Sequence, residues 1–473
     1  MDAWSTAEAI ASGRLSATAA VTEALAAIRS RDGPVNAFTI VRDDAALAAA
    51  AAVDHGDRTG PLAGVPISVK DHVWLAGWPS TNGSRALAGF VPDQDCECVA
   101  RLVAAGAVVV GKTNNPEFCY RGTTFNEVYG VTRNPRDTSR TTGGSSGGAA
   151  ASVAAGMVPL AVGTDGGGSI RIPSAWCGVY GYKQSWGRVP GIFRPNAFAG
   201  TDPFLFEGVI TRTVADAALG MTVLAGHDPR DPFSARDEVD FLGALDRGVA
   251  GMRIAYSPDL DVFPVDRRVA AAVAEAVRAF EEAGAHVEEV RLGITRDQRE
   301  LSDLWCRLIM LTNVETIEGL RAAGHDVRAD LPPEYLRWLD IGYGLTARDV
   351  ARDQRMRTEV YDAVQGVFAG HDLLINPTVA CLPVPNADDG NTVGPSEVEC
   401  VAVDPLIGWC LTYIANLTGH PAASIPAGMV DGLPVGMQIM GRSGADDDVI
   451  AASAAFERLR PWSYDGRTST AAG

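Results

Sequence analysis

The chain has 473 residues, 47% of them hydrophobic, enough for a large core in one large domain or up to three ordinary ones. Its formal net charge of −18 has the wrong sign for a nonspecific nucleic-acid binder and mainly supports solubility. With 51 glycines and 27 prolines it is neither collagen-like nor low in complexity.

The first 56 residues read as helices. Ser5 or Thr6 caps 7–11, Ser16 caps a longer helix through Ile28, and Asp43-Asp44 opens an alanine-rich third. A turn at 61–66 feeds a strand that ends near Lys70. Residues 77–89 read as loop, 93–105 as a helix and 108–110 as a buried strand. The stretch 114–140 has weak periodicity, and irregular segments of that length are often functional. A small-residue helix over 146–155 and a strand at 160–162 follow, then a helix ending at Leu224 and capped by Thr211 or Thr213. The strand, helix, strand series 252–256, 266–283 and 286–290 favours an α/β fold. Helical patterns cover 301–321 and 347–368, with a strand at 372–375. The tail reads as a helix over 404–417, strands at 423–425 and 435–440, and a last helix over 446–459. Residues after about 461 read as frayed, and 386–394 as the best candidate for a mobile excursion. No composition break marks a linker.

The start, Met1-Asp2-Ala3-Trp4, lacks the features of a signal peptide, and no apolar run is long enough to span a bilayer. Eight cysteines without framework spacing read as reduced thiols rather than a metal site. The cytoplasm is the expected compartment.

Chemistry concentrates in two glycine-dense turns, Gly143-Gly144-Ser145-Ser146-Gly147-Gly148 and Gly163-Thr164-Asp165-Gly166-Gly167-Gly168-Ser169. A triple-glycine turn can point successive N–H groups at one negative atom. If Ser169 attacks a carbonyl, such donors would hold the oxygen that gains charge. The alternative is a phosphate-binding loop, but the turn lacks the Gly-x-x-x-x-Gly-Lys-Ser/Thr form. Ser145 either caps the helix that follows or relays a proton, since a hydroxyl both donates and accepts. Lys70 becomes a base only if burial keeps its amine neutral. His72, two residues on and expected on the same strand face, competes for that role. His420 reads as a packed turn residue. Asp165 and Arg171 flank the second turn and are expected to pair, buried, and hold it rigid.

At these residues the chain resembles the amidase signature family. The match is closest over Gly143 to Gly148, Gly163 to Pro173 and on to Lys183. Gly64-Val65-Pro66-Ile67-Ser68-Val69-Lys70-Asp71 resembles its lysine motif. The runs from Gly111 to Phe118 and from Gly130 to Pro135, and Gly419-His420-Pro421-Ala422 onward to Gln438, are also similar. The resemblance runs from about 5 to 460, strongest over 64–213 and weakest over 290–400, a variable and substrate-selecting region.

The resemblance implies one α/β domain, a mixed central sheet with helices on both faces. It implies Ser169 as nucleophile, Ser145 on a cis peptide bond as relay, and Lys70 as base. Oxyanion donors fall on Gly166, Gly167, Gly168 and Ser169, and Cys119 lies where the backbone lines the pocket. The chain departs from the family at Gly166, where a side chain is usual, and at Gln184, where proline is usual. The first change would loosen the turn or admit a bulkier substrate.

The implied activity is hydrolysis of a small amide through an acyl-serine, extending to activated esters and carbamates, with no metal or cofactor. Partners are a small amide and water, with no nucleic acid or membrane; the chain is a monomer or homodimer. Trp74, Trp78, Phe125, Tyr129, Trp176, Trp186, Phe193 and Phe198 lie near the motifs in sequence, which tilts the substrate toward aryl or hydrophobic amides. Phe125, Trp176, Cys119 and Ser145 are the expected substrate contacts. Two rival readings remain. One is the glutaminase subunit of a tRNA-dependent amidotransferase, for which Arg355 or Arg357 could supply a carboxylate-binding arginine. The other is a catalytically silent scaffold.

Overall fold

The computed structural model describes residues 2–462; the expected frayed tail lies almost wholly outside them. Eleven strands form one mixed sheet. Across it the order is Phe38–Val41, Val108–Thr113, Pro66–Lys70, Leu160–Asp165, Phe206–Thr211, Tyr180–Lys183, Ala422–Val430, Leu433–Gly441, Leu373–Pro377, Arg253–Tyr256 and His286–Glu289. Pro66–Lys70 runs parallel to both its neighbours, as does Arg253–Tyr256. The other pairs are antiparallel. This is the α/β fold with a mixed central sheet.

Strand side chains alternate between two faces. Val109, Leu160, Val162, Val209, Ile254, Ile375 and Ile439 pack into one core with helices Glu97–Ala104, Val214–Leu224, Arg267–Glu282 and Asp446–Leu459. Val108, Val110, Ala161 and Ile210 face the other way, onto Ala17–Val35, Asp43–Asp54 and the small-residue helix Gly147–Ala154. Further along that second face, Ala255, Leu374 and Met440 pack with Arg171–Cys177, Gln298–Ala322, Pro333–Gly344, Ala347–Phe368 and Tyr413–Thr418. Helices therefore cover both faces. Among the described residues no helix is long and apolar enough to cross a membrane.

Local signals account for many of the boundaries. Ser16 caps its helix through a bond from Ala19 N–H, Thr213 through one from Asp216 N–H, and Asp266 through one from Arg268 N–H. The first helix begins earlier than expected, capped by Asp2. The second continues past Ile28 to Val35. The expected helix over 404–417 is short, Tyr413–Thr418. Residues 114–140 fold into short two-stranded pairings. The 386–394 excursion is tied down: Arg121 donates to Asn391, Thr123 to the Thr392 carbonyl, and Asn386 N–H to the Ser139 carbonyl.

Candidate active site

Lys70 ends its strand with its amine fully buried. Nζ lies 2.6 Å from Ser145 Oγ and 2.8 Å from Thr164 Oγ1. Burial lowers its pKa, opposed in part by Cys119 and Asp165. Proton exchange with a serine hydroxyl calls for that direction of shift.

Ser145 follows a cis Gly144–Ser145 peptide bond. It does not cap the helix Gly147–Ala154; Ser146 stands at that position, without a side-chain cap bond. Ser169 is half-buried, and its carbonyl accepts from Ser146 N–H at 3.1 Å. That bond ties the two glycine turns together. Among the described residues no hydrogen bond joins Ser145 Oγ to Ser169 Oγ.

The second turn is held from several sides. Arg171 grips Asp165 with two bonds, Nη2 to Oδ1 at 2.8 Å and Nε to Oδ2 at 3.0 Å, and both side chains are fully buried. Burial alone would raise the Asp165 pKa. The charge and bonds of Arg171, then Lys183 and Asn416, outweigh it and hold the carboxyl at about 2. Arg171 also donates to the Thr412 carbonyl, Gln438 and Asn416. The expected rigid pair is therefore one part of a larger buried network.

Asp165 in turn accepts from Gly168 N–H at 2.8 Å and Ile170 N–H at 3.2 Å. This changes the expected donor set: Gly168 N–H is committed to Asp165. The N–H groups of Gly166, Gly167 and Ser169 have no protein acceptor among the described residues.

The glycine at 166 leaves no void. A Cβ there would lie 2.7 Å from Leu205 Cδ2, so Leu205 already fills the space. The turn is not loosened either, because the indole N–H of Trp305 donates to the Gly166 carbonyl at 2.9 Å. Gln184, the second departure from the family pattern, donates to the Glu207 carbonyl at 2.8 Å.

Cys119 stands beside the Lys70 and Ser145 side chains, with its backbone at φ +56°. Burial raises its thiol pKa, opposed by Lys70 and Ser145. Trp176 is not a pocket residue. It is fully buried, stacked on Trp409 at 4.6 Å, and donates to the Cys381 carbonyl. Phe125 packs under Arg121 and lines an open depression with Tyr129, Arg133 and Asp389, whose lining does not include Lys70, Ser145 or Ser169. Trp78 is buried beneath Arg42, and Phe198 is 65% exposed.

His72 does not share a strand face with Lys70, because the strand stops at Lys70 and His72 sits in the turn beyond. Burial, then the charges of Lys70 and Lys112, push its pKa down to about 3. His420 is fully buried and stacked on Phe368, as a packed turn residue. Arg355 is exposed, whereas Arg357 donates to the carbonyls of Leu417 and Thr201 and pairs with Asp202. All eight cysteines are free, four of them buried and Cys400 exposed. Among the described residues no His, Cys, Asp and Glu cluster could hold a metal ion.

Thr164, Trp305, Thr412, Asn416 and Gln438 are the residues that sequence reasoning missed. Thr164 lies inside the quoted motif and carried a readable signal, a hydroxyl next to Asp165. The others reach the turn from far along the chain; Gln438 closes a run similar to the family, and nothing local marks Trp305, Thr412 and Asn416.

The chain is similar to known proteins over most of its length. Residues 19–450 match the family model described as Amidase. An acylamidase of Rhodococcus erythropolis is 36% identical over 417 residues, covering 86% of this chain and 83% of that protein. The A-type chain of the glutamyl-tRNA(Gln) amidotransferase of Chloroflexus aggregans is 37% identical over 476 residues, covering 96% and 95%. A crystal structure of a bacterial aryl acylamidase of the amidase signature family superposes with a TM-score of 0.96, at 46% identity over 98% of each chain. A buried lysine on a serine, two glycine turns joined through their backbones, and a family match over most of the length lead to one conclusion: the chain is an amidase signature enzyme.

Proposed function

We propose that this enzyme hydrolyses the C–N bond of small aryl or hydrophobic amides through an acyl-Ser169 intermediate. The observation that carries the reading is the buried Lys70 amine at 2.6 Å from Ser145 Oγ. Neutral Lys70 takes the proton of Ser145, and Ser145 takes that of Ser169. Ser169 Oγ then bonds to the carbonyl carbon, while the N–H groups of Gly166, Gly167 and Ser169 hold the oxyanion. As the C–N bond breaks, the relay returns the proton to the departing nitrogen. Water then repeats the sequence on the acyl-enzyme and releases a carboxylate. Activated esters and carbamates fit the same steps.

The preference for aryl or hydrophobic amides draws on the likeness to an aryl acylamidase across 98% of both chains. A second reading, the glutaminase component of an amidotransferase, draws on the Chloroflexus aggregans relative at 37% identity. Against it, Arg357 is engaged by its own surroundings. Turnover of an anilide panel by the lone chain, with no ammonia from glutamine, is the expected result; the reverse favours the glutaminase.

The mechanism is tested by mass spectrometry after exposure to a phosphonylating serine probe. One adduct on Ser169 is expected in the parent and none in S169A. An adduct retained by S169A overturns the assignment, and failure of the parent to label favours a silent scaffold.

A further inference from the structure

We propose that Trp305 is a positioning residue of the oxyanion site, acting through the Gly166–Gly167 peptide. The inference rests on the reading of residues 166–169 as oxyanion donors. In a trans peptide unit the carbonyl and the next N–H point in opposite directions. A donor that fixes the carbonyl therefore aims the N–H.

Four consecutive carbonyls in this turn are each held. Asp165 O accepts from Asn416 Nδ2 at 3.1 Å, and Gly166 O from Trp305 Nε1 at 2.9 Å. Gly167 O accepts from Thr412 Oγ1 at 2.6 Å, and Gly168 O from Ile172 N–H at 2.7 Å. The Gly168 N–H that the Thr412 bond aims is the one that meets Asp165. The N–H groups aimed by Asn416, Trp305 and Ile172 belong to Gly166, Gly167 and Ser169, the three proposed donors. Trp305 is the one carbonyl holder drawn from the stretch 290–400, where the family pattern is weakest.

Packing fixes the indole as well as the hydrogen bond. A Cβ on Gly167 would lie 2.6 Å from Trp305 Cζ2, and Trp305 is 5% exposed, so the indole is packed against the turn. Ile309, one turn further along the helix Gln298–Ala322, reaches within 3.9 Å of the Cβ position at 166. This helix therefore meets the turn with one donor and one apolar contact, and the direction of Gly167 N–H depends on where the helix sits.

The test separates aim from folding. W305F keeps a ring and removes the N–H. An alkyl fluorophosphonate titrates competent sites, and 4-nitroacetanilide measures turnover per labelled site. Losing a direct oxyanion donor costs about 10²–10³ in kcat, so losing the group that aims one is expected to cost about ten-fold or more. The labelled fraction and KM are expected to stay within about two-fold of the parent. The rate constant for labelling should fall in parallel with kcat, because the phosphoryl oxygen uses the same donors. If W305F does not accumulate folded, 3-benzothienylalanine at position 305 makes the same deletion with the shape retained. Unchanged kcat per labelled site, or a loss confined to the labelled fraction, overturns the inference. Retained labelling in S169A would instead overturn the underlying reading.

Discussion

Thr164 Oγ1 receives a hydrogen bond from Lys70 Nζ at 2.8 Å, across a pair of neighbouring parallel strands. With Ser145 Oγ at 2.6 Å, the amine is held between two hydroxyls. A neutral amine can donate to Thr164 and turn its lone pair toward Ser145. On the proposed mechanism Thr164 would orient the base.

This arrangement fixes the sign of the pH dependence. Burial lowers the Lys70 pKa, and only the neutral amine accepts a proton. kcat/KM should rise as pH rises through that lowered pKa and then level off. In T164V the ammonium loses an acceptor, so the rising limb should move to lower pH while the plateau falls. A profile identical to the parent would count against the role of Thr164.

Replacing the base outright should stop chemistry without unfolding the protein. K70M is expected to lower kcat by about 10²–10⁴, the range of a general base. Its melting temperature should equal or exceed that of the parent, because removing a fully buried amine also removes its desolvation cost. Turnover and calorimetry on the same preparation check both parts.

Asp165 predicts an acid limb of stability. Its folded pKa, about 2, lies below the ordinary value of 3.8. The stabilisation is therefore complete above pH 4 and is lost as pH falls from there toward 2. In R171A the carboxylate stays buried without its cation, at a cost of about 3–5 kcal/mol. Denaturant titrations should show that loss at pH 7, in contrast to near-parental stability for S169A.

The glycines of the second turn should differ in tolerance. At Gly166 an added methyl meets the end of the Leu205 side chain, which can swing aside, so G166A should keep kcat within about three-fold. At Gly168 it collides with Thr412 Oγ1, and the residue sits at φ +121°, so G168A should be inactive or unfolded. Kinetics of the two variants side by side test the packing directly.

Much of this was legible in the sequence because the signals are short-range. The Ser16 cap, the cap at Thr211 or Thr213 that the structure places on Thr213, the strand ending at Lys70 and the two glycine turns are each defined by a few adjacent residues. The edge strand Phe38–Val41 escaped notice because four residues carry too little alternation, and Tyr180–Lys183 because it alternates aromatic residues with glycine and lysine. The helix Pro333–Gly344, which opens behind Pro332, is not among the expected elements. Trp176 was placed in the pocket from nearness along the chain, whereas its helix turns it into the core against Trp409. Trp305 had the reverse fate: it lies on an ordinary amphipathic helix, and only tertiary packing brings it to Gly166.

The groups that brace the second turn include Thr412, Asn416 and Gln438, near the far end of the polypeptide. During synthesis, residues 143–169 leave the ribosome long before these braces exist. On the proposed mechanism, the turn that carries Ser169 would gain its last brace only once the strand Leu433–Gly441 has emerged. A fragment ending before about 410 would leave Arg171 short of three of its acceptors.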